Sequence, residues 1–228
     1  MTTPASSPGA CYARTMAHAP PHHAQQTLFG GGPPRVAFLG PPRRIQLDAM
    51  AWVEHVPAWV SGQDALMDEL VTKTAWREEQ RMMYERLVTV PRLVANLPED
   101  GPGHPLLVEI QQILGHRYGV AFPRVSLGYY RSGADSVAWH GDTIARELPE
   151  ALVATVSLGG PRRFLLRPKG GGGGTRSVAL SLGLGDLLIM GGTCQRTWQH
   201  SIPKVAHAAP RLAVMFRPLW VPRARRSR

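Results

Sequence analysis

Two histidines and an aspartate in the second half of the chain are spaced so that they can bind one metal ion. His140 and Asp142 are separated by a single glycine in W-H-G-D, and residues two apart on an extended chain project from the same face. His200, in W-Q-H-S-I-P, offers a second imidazole. Two histidines and a carboxylate on one face of a metal, with the other positions open, are the ligand set of non-haem Fe(II) oxygenases. We therefore predict that His140, Asp142 and His200 form a catalytic metal site.

Two arginines farther along the chain are placed to bind a dicarboxylate. Arg211 and Arg217 stand six residues apart in P-R-L-A-V-M-F-R, so a strand carries both guanidinium groups on one face. A guanidinium grips a carboxylate through two parallel hydrogen bonds. The pair therefore indicates capture of a dicarboxylate cosubstrate.

Taken together, these motifs resemble those of the AlkB-type family of Fe(II)- and 2-oxoglutarate-dependent nucleic-acid dealkylating dioxygenases. The resemblance rests on Tyr130 and, in chain order, on W-H-G-D, W-Q-H-S-I-P and P-R-L-A-V-M-F-R. It extends over roughly residues 44–220. It implies Fe(II) as cofactor and 2-oxoglutarate as cosubstrate. By matching position, Arg211 is implied to pair with the distal carboxylate, Arg217 to lie near the oxo-acid end, and Tyr130 to contact the cosubstrate.

The resemblance also implies a reaction. N-alkylated bases in DNA or RNA would be dealkylated with O2, releasing succinate, CO2 and an aldehyde. Two alternatives stay open: a dioxygenase of the same fold that acts on a protein or small molecule, and a nucleic-acid-binding protein whose metal site no longer turns over. The family's usual Asn residues are replaced by Gly128 and Ala213, which removes hydrogen-bond donors near the cosubstrate. The alkylated base, and the choice between DNA and RNA or between single and double strands, are not fixed by the sequence.

Residues 80–97 resemble the flap that covers the substrate in this family. Tyr84 and Pro91-Arg92 match its aromatic residue and its Pro-Arg pair. The match implies that Tyr84 stacks on a base and that Arg92 grips a phosphate. The alternative is that Tyr84 closes a helix end and Arg92 is solvated. Trp139, in W-H-G-D, either walls the site as a substrate contact or packs as a strand indole.

The pattern of the chain predicts a mainly β fold with flanking helices, built on a double-stranded β-helix (jelly-roll) core. Helical spacing of apolar residues predicts helices over Gln63–Glu79 and His104–Tyr118. Residues 43–59 read as one or two strands. Short segments between glycine and proline turns predict further strands at Val125–Arg131, Leu152–Leu158, Arg163–Arg167, Ser177–Leu182, Asp186–Met190 and Arg211–Arg217. Residues 170–174, five glycines, read as a hairpin tip or loose loop.

Composition sets the frame for these predictions. The 228 residues carry a net charge of +10, which favours a polyanionic partner such as nucleic acid. Residues 1–42 predict a disordered Ala/Pro/His/Gly-rich tail, because they cannot bury enough apolar surface to offset chain entropy. Residues 43–220 form the predicted dioxygenase domain, and residues 221–228 a basic tail. Two cysteines and the lack of an apolar span predict a cytoplasmic, reduced protein that does not enter a membrane. We also expect a monomer.

Overall fold

In a computed structural model of the chain, two β-sheets pack face to face and helices cover the outer side of the larger one. The structure describes residues 32–37, 41–83, 86–142, 150–170 and 177–218. Its strands are β1 (Arg35–Val36), β2 (Arg43–Gln46), β3 (Ala51–Val56), β4 (Val60–Ser61), β5 (Arg77–Met83), β6 (Arg86–Asn96), β7 (Arg124–Tyr130), β8 (Val137–His140), β9 (Val153–Gly159), β10 (Arg162–Pro168), β11 (Val178–Leu182), β12 (Asp186–Gly192), β13 (Trp198–Ile202) and β14 (Arg211–Arg217). Its helices are α1 (Gln63–Lys73), α2 (Pro105–Tyr118) and the short α3 (Cys194–Thr197).

The larger sheet has eight strands in the order β2-β3-β12-β9-β14-β7-β6-β5, and the smaller has four in the order β11-β10-β13-β8. Paired strands are antiparallel in both sheets. An apolar cluster fills the space between the sheets, with residues from β3, β9 and β12 on one side and from β10, β11 and β13 on the other. This arrangement confirms the predicted mainly β fold with a jelly-roll core.

The alternation of side chains along β14 decides which residues reach the space between the sheets. Leu212, Val214 and Phe216 are fully buried in a second cluster, which lies under α1 and α2. Burying an apolar side chain of this size stabilises the fold by about 1.5–3 kcal/mol. A one-residue slip would turn all three toward the smaller sheet and place both arginines under the helices, so the register is strongly fixed. Arg211 and Arg217 therefore project from the opposite face, toward the smaller sheet.

The two predicted helices are present, but the first is shorter than predicted. α1 ends at Lys73, because Thr74 has extended backbone angles (φ −87°, ψ 134°) and residues from Arg77 onward pair with β6 instead. The prediction that this helix continues to Glu79 was wrong: its apolar spacing stops at Thr74. α2 agrees with the prediction. His104 Nδ1 accepts a hydrogen bond from the Leu106 N–H at its start, as N-cap residues do.

The predicted strands all appear, and the structure adds several that sequence patterning missed. The segment predicted as the flap is part of a hairpin formed by β5 and β6 at one end of the larger sheet. Strands β8 and β13 were missed because the polar residues of the predicted metal motif interrupt their apolar alternation. Strand β1 lies inside the predicted N-terminal tail and pairs with β4. Among the described residues no helix is long and apolar enough to cross a membrane.

Candidate active site

On the larger sheet, side chains from neighbouring strands, two of them arginines, line one side of the site. Arg211 on β14 and Tyr130 on β7 are directly paired across the sheet, and the Arg211 Cζ atom lies 5.4 Å from the centre of the Tyr130 ring. Farther along the same two strands, Met215 of β14 pairs with Ser126 of β7. Arg217 follows on the same face of β14 and donates to the Ser126 hydroxyl. Arg211 and Arg217, which are six residues apart in the sequence, therefore lie on one face of the sheet.

The smaller sheet supplies the two histidines. His140 on β8 and His200 on β13 are paired across the strands, and their ring centres are 4.3 Å apart. The pairing shifts register between this pair and the next, Ile202 with Val137, which marks a β-bulge. A bulge re-aims side chains and is common beside active sites. Here it lets both His140 and Val137 face the space between the sheets.

Asp142 follows β8 and is held from two sides. Its carboxylate accepts hydrogen bonds from Nη2 and Nε of Arg217 at 3.1 and 3.3 Å. Its backbone N–H donates to the Gln195 side-chain oxygen at 3.0 Å. A Cβ atom added at Gly141 would lie 3.1 Å from the Gln195 carbonyl oxygen. The glycine between the two predicted ligands thus lets the α3 segment approach closely.

One cavity of about 310 Å³ lies between the sheets and is lined by both of them. All six residues predicted to bind the metal or the cosubstrate line it: His140, Asp142, His200, Tyr130, Arg211 and Arg217. Its volume is within the range of small-molecule pockets. Residues that are far apart in the sequence are therefore brought to one site.

The protonation states of the predicted ligands suit a divalent metal. Burial lowers the pKa of His200 to about 3, which keeps its imidazole neutral at physiological pH. Burial opposes ionisation of Asp142, but the Arg217 guanidinium holds the pKa of this carboxyl below its usual value of 3.8. His140 Nδ1 lies 2.8 Å from the Ala138 carbonyl oxygen. When Nδ1 donates this bond, the lone pair of the ring is on Nε2. A neutral imidazole at His200, an Nε2 lone pair at His140 and a carboxylate at Asp142 suit Fe(II).

As the side chains stand, the carboxylate is directed at Arg217. Within the residues that the structure describes, no three His, Cys, Asp or Glu side chains are arranged as a metal site. A carboxylate has lone pairs for more than one partner, so an interaction with Arg217 and a metal bond are compatible. Coordination of one ion by His140, Asp142 and His200 stays a prediction.

Arg211 has unsatisfied donors that fit an incoming carboxylate. It is only 1% exposed, and burial lowers its pKa to about 10, so it is still charged at neutral pH. Its Nη2 donates to the Ser157 hydroxyl at 2.6 Å. Its Nε and Nη1 have no hydrogen-bond partner among the described residues. A buried guanidinium with two unpaired donors is costly unless a ligand satisfies them, and a carboxylate can accept from both.

The three predicted substrate contacts fare differently. Tyr84 lies outside the described residues. Arg92 does not fit either predicted role, phosphate contact or solvated side chain, because both need an exposed guanidinium and Arg92 is only 8% exposed. It lines the cavity, and its Nη1 donates to the Tyr130 hydroxyl at 3.1 Å. Trp139 is not among the residues that line the cavity. Its ring instead packs under Arg167, whose Cζ is 4.2 Å from the ring centre.

Sequence reasoning missed several residues that shape the site. Gln195 holds the backbone beside Asp142, Ser157 bonds Arg211, and Glu79 bonds Arg92 at 3.3 Å. Each of these contacts joins segments that only the fold brings together, so no local motif marks them. Gly141 was visible within W-H-G-D, but its close approach to Gln195 was not.

The chain resembles known proteins in both sequence and structure. A family model described as the 2OG-Fe(II) oxygenase superfamily matches residues 72–225. Relatives named alpha-ketoglutarate-dependent dioxygenase alkB homolog 3 are 30% identical over 176 residues in Bos taurus and 29% over 180 residues in Homo sapiens. These matches cover 69% and 71% of this chain and 62% and 63% of the relatives. The chain thus spans just over three fifths of their length.

Other comparisons agree. The human protein named DNA oxidative demethylase ALKBH2 is 32% identical over 122 residues, which cover 51% of this chain and 47% of that protein. Among solved structures, "The structure of OsALKBH1" matches with a TM-score of 0.53 at 13% identity, over 78% of this chain and all of that chain. At this identity the structural match shows the fold alone. The AlkB homologues among these relatives confirm the predicted resemblance to the AlkB-type family. With the family model covering most of the chain, the protein belongs to the 2OG-Fe(II) oxygenase superfamily.

Proposed function

We propose that this protein is an Fe(II)- and 2-oxoglutarate-dependent dioxygenase that removes alkyl groups from the nitrogen atoms of nucleic-acid bases. One observation carries the proposal. A single cavity unites two histidines and an aspartate with Arg211, which has two unpaired donors. A metal-binding group thus faces a carboxylate-binding group across a space of small-molecule size. That combination is what oxidative decarboxylation of a 2-oxo dicarboxylate requires.

The residues of the cavity divide the work of binding. Arg211 neutralises the distal carboxylate, and the Tyr130 hydroxyl supplies a further hydrogen bond. His140, His200 and Asp142 hold Fe(II), with Arg217 fixing the direction of the Asp142 carboxylate. When bound, Fe(II) supplies the activation of O2. Apolar lining residues, among them Phe164 and Met190, exclude water from the reacting atoms.

The overall reaction balances without a further cosubstrate. One O2 molecule divides its oxygen atoms between succinate and the N-alkyl carbon, while 2-oxoglutarate loses CO2. The hydroxylated carbon then leaves as an aldehyde when its C–N bond breaks and a proton returns to the base nitrogen. For an N-methyl group the aldehyde is formaldehyde, which gives a direct assay.

Three observations support nucleic acid as the substrate. Two of the relatives' names refer to AlkB homologues, and one of these names specifies oxidative demethylation of DNA. The chain carries a net charge of +10. In addition, the four strands of the smaller sheet contain no Asp or Glu. Arg163 is exposed on the side of this sheet turned away from the cavity, where Arg167 also stacks on Trp139. Such a surface suits phosphates.

The cavity lies between the sheets, so a base within a duplex could not reach it. The substrate must be a single strand or a nucleotide turned out of the helix. Turning out costs a few kcal/mol and costs least where alkylation has already broken the base pair. We therefore expect alkylated single strands to react at least as well as duplexes.

We also propose that the protein works as a monomer, because one chain supplies the whole cavity lining. Light scattering after size exclusion checks this.

Incubation with Fe(II), 2-oxoglutarate and a panel of methylated oligonucleotides tests the function. We expect succinate and formaldehyde in equal amounts and a mass loss of one methylene group from the oligonucleotide. Asp142→Ala, assayed in parallel, controls for adventitious iron. Succinate without loss of mass from any oligonucleotide would favour a dioxygenase acting on another substrate. Oligonucleotide binding without succinate would favour a binding protein.

A further inference from the structure

Arg92 occupies a position in the cavity that the predicted flap does not explain. It belongs to β6, where the neighbouring Leu93 pairs with Tyr129 of β7. This register places Arg92 beside Tyr130, and Tyr130 is paired with Arg211 on its other side. An arginine, a tyrosine and a second arginine therefore form one row across three adjacent strands, on the face that lines the cavity.

Gly128 leaves open the space into which the Arg92 guanidinium reaches. Gly128 and Ala213, next to this row, are paired across β7 and β14. A Cβ atom at Gly128 would lie 3.9 Å from Arg92 Nη1 and 3.8 Å from the Tyr130 ring. A longer side chain at that position would compete with the guanidinium for the same space. The absence of a side chain at Gly128 thus leaves room for Arg92 to approach Tyr130.

The hydrogen bonds of Arg92 fix the Tyr130 hydroxyl. Nη2 donates to Glu79 at 3.3 Å, which anchors one edge of the guanidinium. Nη1 donates to the Tyr130 oxygen at 3.1 Å. A phenol has a single hydrogen to donate. Because arginine is only a donor, the Tyr130 oxygen must be the acceptor of this bond, and its own hydrogen must point elsewhere.

We infer that Arg92 is a positioning residue for the cosubstrate, which acts by directing the Tyr130 hydroxyl hydrogen toward the carboxylate of 2-oxoglutarate. The inference rests on the proposed function for the identity of the cosubstrate. It assigns Arg92 to the 2-oxo acid and removes it from the nucleic-acid contacts. The row then presents a carboxylate with the Arg211 guanidinium and an oriented phenol, and Arg92 keeps the phenol oriented.

A double-mutant cycle with Tyr130 tests this role directly. The affinity for 2-oxoglutarate is measured by titration calorimetry on the Mn(II)-loaded protein, where no turnover occurs. Arg92→Met should weaken binding by roughly ten- to a hundredfold, the range for removing a hydrogen-bond partner that orients a metal ligand, because Arg92 orients Tyr130 in the same way. In a Tyr130→Phe background the same substitution should change affinity by less than about twofold, because the hydroxyl is already gone.

Further variants separate positioning from structure. Arg92→Lys should recover part of the affinity, since it keeps one donor but loses the fork. Arg124→Met is the matched control: Arg124 on β7 also pairs with a glutamate, Glu99 at 2.9 Å, but is exposed. It should leave the affinity for 2-oxoglutarate unchanged. Should Arg92→Met fail to fold, Arg92→Lys and Glu79→Gln, which removes the anchoring charge, replace it in the cycle.

The outcomes are distinct. Equal losses in the parent background and in the Tyr130→Phe background would show that Arg92 acts without the phenol and would overturn the inference. So would an Arg92→Met protein that binds 2-oxoglutarate normally but binds oligonucleotide weakly. If the parent protein binds no 2-oxoglutarate at all, the proposed function itself fails, which is a different result from a parent that binds and an Arg92 variant that does not differ from it.

Discussion

The two sheets that enclose the cavity hold their functional groups in different ways. The larger sheet is packed on both faces, by helices on one and by the cavity and apolar cluster on the other. It presents charged groups, among them Arg211, Arg217 and Arg92. Within the described part of the chain, the smaller sheet is packed on one face only, and it presents His140 and His200. Burial keeps His200 neutral there. A site that must hold an anion and a cation at once therefore builds each half on a separate sheet.

The difference has an energetic side. Burial that lowers the pKa of His200 favours the neutral imidazole, which is the form that binds metal. Burial of Arg211 instead works against its charge, and among the described residues its guanidinium hydrogen-bonds Ser157 while two donors stay unsatisfied. Such a group destabilises the fold until a ligand arrives. The smaller sheet can therefore bind its metal with little destabilisation of the ligand-free fold. Buried Arg211 in the larger sheet does destabilise the ligand-free fold, and binding of the cosubstrate removes that destabilisation.

The largest effect is expected from His200→Ala, which breaks the half of the site on the smaller sheet. Metal affinity and turnover should each fall by more than about a hundredfold, because even the loss of a ligand's hydrogen-bond partner costs ten- to a hundredfold. Binding of Co(II), followed by its visible absorbance, gives the metal affinity directly. Unchanged circular dichroism controls for folding. Metal binding equal to that of the parent protein would remove His200 from the ligand set.

Arg211→Met breaks the other half and should separate function from stability. Loss of a buried charge partner costs about 3–5 kcal/mol, so the affinity for 2-oxoglutarate should fall by roughly two to four orders of magnitude. The ligand-free protein should nevertheless melt at a higher temperature, since a buried charge with unpaired donors is replaced by an apolar side chain. Calorimetric titration and a thermal melt test both parts.

Metal binding gives the control for this variant. Co(II) affinity should match that of the parent protein, because Arg211 belongs to the larger sheet and lies across the cavity from the histidines. Arg211→Lys should bind the cosubstrate with intermediate affinity, since lysine offers a point charge in place of a fork. A lower melting temperature for Arg211→Met would contradict the view that buried Arg211 destabilises the ligand-free fold.

How far the sequence predicted this site depends on the kind of information each residue carries. Strand β14 was predicted with its observed bounds, because it is a short continuous apolar run between two arginines, and every second residue of that run packs under the helices. The motif residues were brought to one cavity as their spacing indicated. Arg92 was misplaced because a local Pro-Arg pair says nothing about the glutamate and tyrosine to which it donates hydrogen bonds. Trp139 was ambiguous because a bulge in β8, which no sequence pattern marked, sets the direction of its side chain.

Two glycines, one beside each half of the site, give an intermediate effect and a matched pair. A Cβ atom at Gly141 would lie 3.1 Å from the Gln195 carbonyl oxygen and 3.4 Å from that of Trp198. Gly141→Ala should therefore displace Asp142 and weaken Co(II) binding by roughly tenfold, as disturbed support of a metal ligand does. Gly128→Ala meets Met215 at an ordinary 3.5 Å and should leave Co(II) affinity unchanged. Equal affinities in both variants would show that α3 gives way.

The smallest effect concerns the outer face of the smaller sheet. The corresponding face of the larger sheet is covered by helices. Arg163 is exposed on the outer face of the smaller sheet, and no carboxylate lies in the four strands around it. If a nucleic-acid strand crosses this face, Arg163→Gln should weaken oligonucleotide binding a few-fold at low salt. It should also reduce the slope of log affinity against log salt by about 0.7–0.9, the value for one lost phosphate contact. The turnover number should not change, because Arg163 does not line the cavity.

Arg43, exposed at the far edge of the larger sheet, is the matched control, and Arg43→Gln should bind like the parent protein. Fluorescence anisotropy at several salt concentrations measures both variants. Equal slopes for the two would mean that the phosphates run elsewhere, and the smaller sheet would then contribute only its inner face to function.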